Sequence, residues 1–145
     1  LWSADSRRRV GDPNALLSPD VQWIALANPR LAPYGTAAAE VLDELDLSAH
    51  LSGKIVQGEN IAQTLQFVES GNAQLGFVAR SQVLSLTETH AGANWVVPYH
   101  LYRPIKQDAV LLNRALGCQV CTEFLGFLRE DAQRSFISAS GYRDD

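Results

Sequence analysis

Two segments of the sequence have the strand, short turn and abrupt helix start that can bind an oxyanion without a basic side chain. They cover residues 28–35 (NPRLAPYG) and 56–62 (VQGENIA). The first turn of a helix has main-chain N–H groups with no partner inside the helix, and the helix dipole adds partial positive charge there. Both segments are therefore candidate anion sites, although many helix starts in α/β proteins are capped by their own side chains or by water.

Two residues modify these candidate sites. Gly35 has no side chain, so we expect it to leave the first helix start open to a close approach. Glu59 lies in the turn before the second helix, and its carboxylate would compete for the same N–H groups if it pointed inward.

Cys118 and Cys121 form a C-x-x-C motif with two open interpretations. One is a thiol–disulfide redox site, because a helix N-terminus lowers the pKa of a cysteine. The favoured interpretation is two cysteines one turn apart in a helix that packs inward, since the motif follows Gly117 well inside a periodic helical segment. A local disulfide is an open expectation for an oxidising compartment.

Other arrangements that carry chemistry are weak or absent in the sequence. His50, His90 and His100 lack the spacing of metal ligands, so we expect surface or loop positions for them. The sequence contains no G-x-S-x-G, G-x-G-x-x-G or Walker-type loop, so the usual serine-hydrolase and nucleotide signatures are missing. We expect neither catalysis nor side-chain metal ligands.

Alternating strands and helices surround the candidate anion sites. Strands are predicted over 21–27, 54–58, 74–79 and 94–99, and helices over 33–45, 60–70 and 80–86. Pro33 suits the first turn of its helix, and Gly71 suits the end of the next. This order predicts an α/β fold with a largely parallel sheet.

The C-terminal part is predicted to continue the pattern. We expect a strand over 105–112, a long helix over 114–130 and a shorter helix over 131–140. The long helix has apolar residues at helical spacing that we expect to face inward: Leu116, Val120, Phe124, Phe127 and Leu128.

The composition is that of a globular chain of 145 residues. Hydrophobic residues make up 46% and charged residues 19%, and no apolar run approaches the roughly 20 residues of a membrane-spanning helix. The net charge of −4 argues against a nucleic-acid-binding surface. Methionine is absent, and the sequence opens on residues that read as the end of a strand, so we expect a fragment or a processed product.

Several segments, in order, resemble the periplasmic molybdate-binding proteins of ABC importers. They cover nearly the whole chain and comprise residues 1–3 (LWS), 24–29 (IALANP), 32–35 (APYG), 58–63 (GENIAQ), 75–79 (LGFVA) and 102–110 (YRPIKQDAV). The resemblance implies a periplasmic-binding-protein type II-like lobe with flanking helices, plus hinge strands and C-terminal helices. Such receptors have two lobes that close over molybdate or tungstate.

The resemblance also assigns site residues. The main-chain N–H groups of Tyr34 and Ile61 match the family's donors in the second lobe, and Gly35 and Ala62 lie beside them. Some members add a tyrosine hydroxyl at the position of Ala79, so that contact is missing in this sequence. No cofactor is implied.

The resemblance predicts three parts in the chain. Residues 1–18 are expected to be the end of a hinge strand and a loop, residues 19–103 the second lobe, and residues 104–145 a hinge strand and helices that return to the first lobe. The first-lobe donors would precede Leu1, so the chain should hold half of a site. We expect self-association through C-terminal apolar residues that the first lobe would cover: Phe124, Phe127, Leu128, Phe136 and Ile137.

The resemblance therefore implies a periplasmic binding protein that captures the oxyanion and delivers it to the membrane permease of an ABC importer. One alternative is the ligand-sensing domain of a transcription regulator, which shares the two-lobed architecture. A second alternative is a thiol–disulfide oxidoreductase that uses Cys118 and Cys121.

Overall fold

The structure is a computed structural model that describes residues 1–86 and 92–143. It divides into two compact units, Leu1–Ile105 and Lys106–Asp145. His90, one of the three histidines discussed above, lies outside the described residues. His50 and His100 are exposed, as predicted.

The first unit contains a five-stranded sheet in the order β3-β2-β4-β1-β5 within the described residues. Its strands are β1 (Trp2–Ser3), β2 (Ile24–Ala27), β3 (Ile55–Gly58), β4 (Leu75–Gly76) and β5 (Ala93–Asn94). β2 pairs in parallel with β3 and β4, whereas β1 runs antiparallel to β4 and β5. The largely parallel sheet is thus confirmed, with β1 as the strand of opposite direction.

Helices connect these strands at the predicted places. They are α1 (Pro33–Glu44), α2 (Ser48–Leu51), α3 (Ile61–Glu69) and α4 (Arg80–Ser85), with short 3-10 helices at Pro13–Leu17, Ser52–Lys54 and Tyr99–Leu101. Gly71 follows α3 with a φ of +77°, a conformation that glycine adopts without strain.

Both faces of the sheet are covered, which explains the nearly continuous apolar run in β2. Ile24 and Leu26 belong to the larger core cluster, together with Val41 and Leu42 of α1. Ala25 points to the opposite face and belongs to a second cluster with Val68 of α3. The two helices that begin at the candidate anion sites therefore lie on opposite faces of the same strand.

The second unit agrees with the prediction only in its last helix, predicted over 131–140. Its elements are a 3-10 helix at Asn113–Ala115, α5 (Gln119–Phe127) and α6 (Asp131–Ala139). The strand predicted over 105–112 is wrong, because no described residue provides a neighbouring strand to share its hydrogen bonds. The long helix predicted over 114–130 is also wrong, since Gly117 with a φ of +87° interrupts it.

The predicted inward face of that helix is wrong as well. No residue of α5 is buried, and four of the five apolar residues are exposed: Leu116, Val120, Phe124 and Phe127. Leu128 is half-buried. The cysteine motif begins α5 rather than lying inside a helix: Cys118 is the N-cap residue and forms a disulfide with Cys121.

Among the described residues, the helices are all too short or too polar to cross a membrane.

Candidate oxyanion site at two helix N-termini

The two candidate helix starts lie side by side at one edge of the sheet. β2 and β3 are parallel neighbours, and their last residues, Ala27 and Gly58, are register partners. The Asn28 N–H donates to the Gly58 carbonyl at 2.7 Å, which joins the two turns directly. α1 and α3 therefore begin beside each other, at the carboxyl ends of strands where open α/β sheets bind ligands.

The start of α1 has no side-chain cap. Ala32 is the extended N-cap residue, and its side chain cannot accept a hydrogen bond. Pro33 is the first helical residue and has no N–H, so Tyr34 carries the first main-chain N–H of the helix. The next two amides, of Gly35 and Thr36, donate to the Ala32 carbonyl at 2.9 and 3.2 Å.

Gly35 has a structural role at this start. A Cβ on Gly35 would lie 2.1 Å from the Ala27 carbonyl oxygen, far inside the contact distance. The missing side chain therefore lets α1 approach the end of β2. The space beside Gly35, which was expected to stay open to a ligand, is filled by the backbone of Ala27 and Asn28 on the side where a Cβ would lie.

The start of α3 is capped by side chains, but only in part. The Asn60 side-chain oxygen accepts from the Gln63 N–H at 2.9 Å, and the Gln63 side-chain oxygen accepts from the Glu59 N–H at 2.6 Å. This reciprocal pair resembles a capping box. The Thr64 N–H donates to the Asn60 carbonyl at 3.1 Å, as the first regular bond of the helix.

The amides of Ile61 and Ala62 have no hydrogen-bond partner among residues 1–86 and 92–143. Glu59 is exposed, and its carboxylate makes no hydrogen bond to them in that part of the chain. The competition considered from the sequence is thus absent. Two adjacent N–H groups at the positive end of a nine-residue helix can donate hydrogen bonds to an oxyanion.

Two residues near this start were not predicted from the sequence. The Gln82 side chain donates to the Ile61 carbonyl at 3.1 Å and accepts from the Ala79 N–H at 3.0 Å. The Thr64 hydroxyl, which is fully buried, donates to the Asn60 carbonyl at 2.9 Å. The spacing of Asn60 and Gln63 is a helix N-cap signal that can be found in the sequence. By contrast, no local pattern in the sequence indicates the contact between Gln82 and the Ile61 carbonyl.

The histidines and cysteines considered from the sequence do not form a metal-binding cluster in the described part of the chain. That part of the chain contains no group of three or more His, Cys, Asp or Glu residues that could hold a metal ion. Cys118 and Cys121 are joined in a disulfide in the second unit, so neither is a free thiol.

The match to a family model covers residues 1–143, and that family is described as bacterial extracellular solute-binding proteins. The chain belongs to this family. Membership in a solute-binding family agrees with the position of the candidate site, because open α/β sheets bind ligands at the carboxyl ends of neighbouring strands.

Two individual relatives of this chain are molybdate-binding proteins. The chain is 43% identical over 142 residues to the molybdate-binding protein ModA of Rhodobacter capsulatus, and 41% identical over 143 residues to that of Azotobacter vinelandii. Each alignment covers 98% of this chain, but 55% and 56% of the two relatives. The chain therefore spans about half the length of these curated relatives.

Solved structures show the same fold. The periplasmic molybdate-binding protein of Azotobacter vinelandii matches with a TM-score of 0.88 and 30% identity, covering 99% of this chain and 63% of that one. The substrate-binding domain of a putative molybdenum ABC transporter from Clostridium difficile matches with a TM-score of 0.78 and 23% identity, covering 98% and 61%. These relatives are described as binding proteins, so the regulator and oxidoreductase alternatives are not favoured.

Proposed function

We propose that this chain holds a tetrahedral oxyanion, molybdate or tungstate, through main-chain N–H groups at the starts of α1 and α3. The donors are those of Tyr34 and Ile61, with Ala62 beside the second. Gly35 is a weaker candidate, because its amide would have to share its hydrogen bond with the Ala32 carbonyl.

The observation that carries the proposal is the pairing of the two helix starts. The Asn28 to Gly58 hydrogen bond holds them together, and the Ile61 and Ala62 amides at the second start lack partners in the described residues. The similarity to molybdate-binding proteins of two organisms, over 98% of this chain, supports the choice of ligand.

Neutral N–H donors would favour a fully deprotonated dianion. A protonated oxyanion would present an O–H to an N–H group, and that donor would lose its partner on binding. Binding of this kind requires no bond to be made or broken in the ligand. We therefore propose a binding role without catalysis and without a cofactor.

The proposed role includes delivery of the oxyanion to the membrane permease of an ABC importer, outside the cytoplasm. The family description as extracellular and the periplasmic protein of Azotobacter vinelandii support this location. Delivery would require the rest of a two-lobed receptor, because the chain spans about half of its curated relatives.

The experiment is an NMR titration of the amide resonances of this chain with molybdate and, separately, tungstate, with sulfate as the control. NMR detects the weak, millimolar binding that half of a site would retain. Selective shifts of the Tyr34, Ile61 and Ala62 amides with molybdate or tungstate are the expected result. Equal shifts with sulfate would contradict the ligand, and shifts confined to other residues would contradict the site.

A further inference from the structure

The two unpartnered amides of α3 belong to peptide groups whose carbonyls each receive a side-chain hydrogen bond. The Ile61 N–H shares a peptide group with the Asn60 carbonyl, which accepts from the Thr64 hydroxyl at 2.9 Å. The Ala62 N–H shares a peptide group with the Ile61 carbonyl, which accepts from the Gln82 amide at 3.1 Å. In a trans peptide group the N–H points away from the carbonyl, so the two side chains hold these peptide planes on the side opposite the N–H groups.

The Thr64 hydroxyl is placed by tight packing. Its residue is fully buried, and a Cβ on Gly58 would lie 2.9 Å from the hydroxyl oxygen. Gly58, at the end of β3, thus leaves the space in which the hydroxyl reaches the Asn60 carbonyl. Burial fixes the side chain, so the hydrogen bond restrains the Asn60–Ile61 peptide plane.

Gln82 is placed by a second bond. Its side-chain oxygen accepts from the Ala79 N–H at 3.0 Å, and its side-chain nitrogen donates to Ile61. The amide group therefore spans from the start of α4 to the start of α3, and Gln82 is half-buried. The Ile61 carbonyl also belongs to the first turn of α3, so loss of either bond would remove one restraint on the Ile61–Ala62 peptide plane and leave the helical hydrogen bond in place.

A donor at a peptide carbonyl also strengthens the N–H of that peptide, because hydrogen bonds in a chain polarise one another. We propose that Thr64 and Gln82 are positioning residues that orient and polarise the Ile61 and Ala62 amides for an oxyanion. They touch the peptide groups and not the ligand. The inference rests on the proposed function for its ligand, but its effect on the amides does not require a ligand.

Two nearly isosteric substitutions test the proposal: Thr64→Val removes the hydroxyl, and Gln82→Met removes the side-chain amide. The probe is molybdate, titrated into the full chain and followed by NMR. We expect each variant to bind molybdate about three- to tenfold more weakly, the loss that one hydrogen bond accounts for. Thr64→Ser keeps the hydroxyl, so it should restore binding.

A matched control lies at the other end of the same helix. The Ser70 hydroxyl donates to the Gln66 carbonyl at 2.7 Å, the same kind of side-chain bond as that of Thr64. Ser70→Ala removes it away from the site, so molybdate binding should equal that of the unchanged chain. A loss equal to that in Thr64→Val would overturn the proposal, because it would point to general weakening of the helix.

The spectrum without ligand gives an independent readout. Weaker polarisation should move the Ile61 amide proton upfield in Thr64→Val and the Ala62 amide proton upfield in Gln82→Met, by more than other amides of α3. If the buried Thr64→Val variant fails to fold, the half-buried Gln82→Met variant alone decides the question.

The outcomes separate the two claims. Unchanged binding in both variants, with normal binding by the unchanged chain, would overturn the positioning role and leave the proposed function intact. Absence of binding by the unchanged chain would count against the proposed function, and the unliganded shifts would then decide the positioning role. Unmoved Ile61 and Ala62 protons would overturn it.

Discussion

Arg103 donates hydrogen bonds from its main chain and its side chain to the carboxylate of Glu40, which lies 63 positions away in the sequence. The Arg103 main-chain N–H donates to one carboxylate oxygen at 2.8 Å, and its guanidinium Nε donates to the other at 2.6 Å. A second guanidinium nitrogen forms an ion pair with the same oxygen. The contact attaches the segment after the last 3-10 helix of the first unit to α1, the helix that begins with Pro33 and Tyr34.

This contact predicts a dependence of stability on pH. The Arg103 main-chain N–H and then the guanidinium hold the pKa of Glu40 below its ordinary value of 4.5. A carboxylate with a lowered pKa stabilises the fold above its ordinary value, and that contribution is lost as the pH falls through the folded-state value. We expect Glu40→Gln to lower the thermal midpoint at pH 7, with the difference from the unchanged chain shrinking below about pH 4.5. A difference that stays constant from pH 7 to 3 would contradict this account.

Gly35 should tolerate no larger residue. A Cβ there would meet the Ala27 carbonyl oxygen at 2.1 Å and the Asn28 backbone at 2.8 Å, and neither is a flexible side chain. We expect Gly35→Ala to lower the free energy of unfolding by about 3 kcal/mol, in the upper range for overpacking. Gly53→Ala is the matched control, since nothing lies within 4 Å of its added carbon. Equal urea midpoints for the two variants would refute the steric role of Gly35.

The Cys118–Cys121 disulfide predicts a local effect of reduction. It closes a loop of only four residues, so chain entropy limits its contribution to about 2 kcal/mol. Reduction should speed hydrogen exchange in the first turn of α5, while the amides of α1 keep their protection. A Cys118→Ser/Cys121→Ser variant should not respond to the reductant. Loss of protection in α1 on reduction would show that the effect is not local.

The exposed apolar side chains on α5 and α6 predict that the chain self-associates. Phe124 is 57% exposed and Phe136 is 73% exposed. We expect light scattering to give a mass that rises above 15.9 kDa with concentration. Phe124→Ser/Phe136→Ser should reduce that rise, whereas Val96→Ser, at an exposed position of the first unit, should not. A constant monomer mass together with no binding of a hydrophobic dye would contradict the prediction.

The elements around the site could be predicted from the sequence because their signals are local. Pro33 marks the start of α1, and α1 ends one residue before the predicted position. Asn60 precedes α3 as an N-cap, and α3 lies within one residue of its predicted bounds at each end. Local patterns therefore predicted both helix starts, whereas the choice of Tyr34 and Ile61 as donors came from the resemblance to molybdate-binding proteins.

Features that depend on distant contacts could not be predicted. The hydrogen bond from Gln82 to Ile61 spans 21 positions, and no periodic pattern indicates it. A strand was predicted over 105–112, but a strand needs a hydrogen-bonded neighbour that the local sequence does not provide. The spacing of Leu116 and Val120 fits a helix, although the positive φ of Gly117 ends the regular backbone between them.

The central claim is that main-chain N–H groups hold the oxyanion, and one pair of variants tests it most directly. Ile61 is the first residue of α3, where proline fits the helix and deletes only the N–H. Asn60 has a φ of −148° and a ψ of 173°, the extended conformation that a residue before proline prefers. Ile61→Pro therefore removes the donor with little change to the helix, while Ile61→Ala keeps the donor and shortens the side chain.

The measurement is the molybdate affinity of these two variants and of the unchanged chain. The account predicts that Ile61→Ala binds within about threefold of the unchanged chain, whereas Ile61→Pro binds at least about tenfold more weakly, the loss expected for a hydrogen bond to a charged group. Equal losses in the two variants would contradict the account, because the loss of the Ile61 side chain, and not of the main-chain N–H, would then explain the weaker binding.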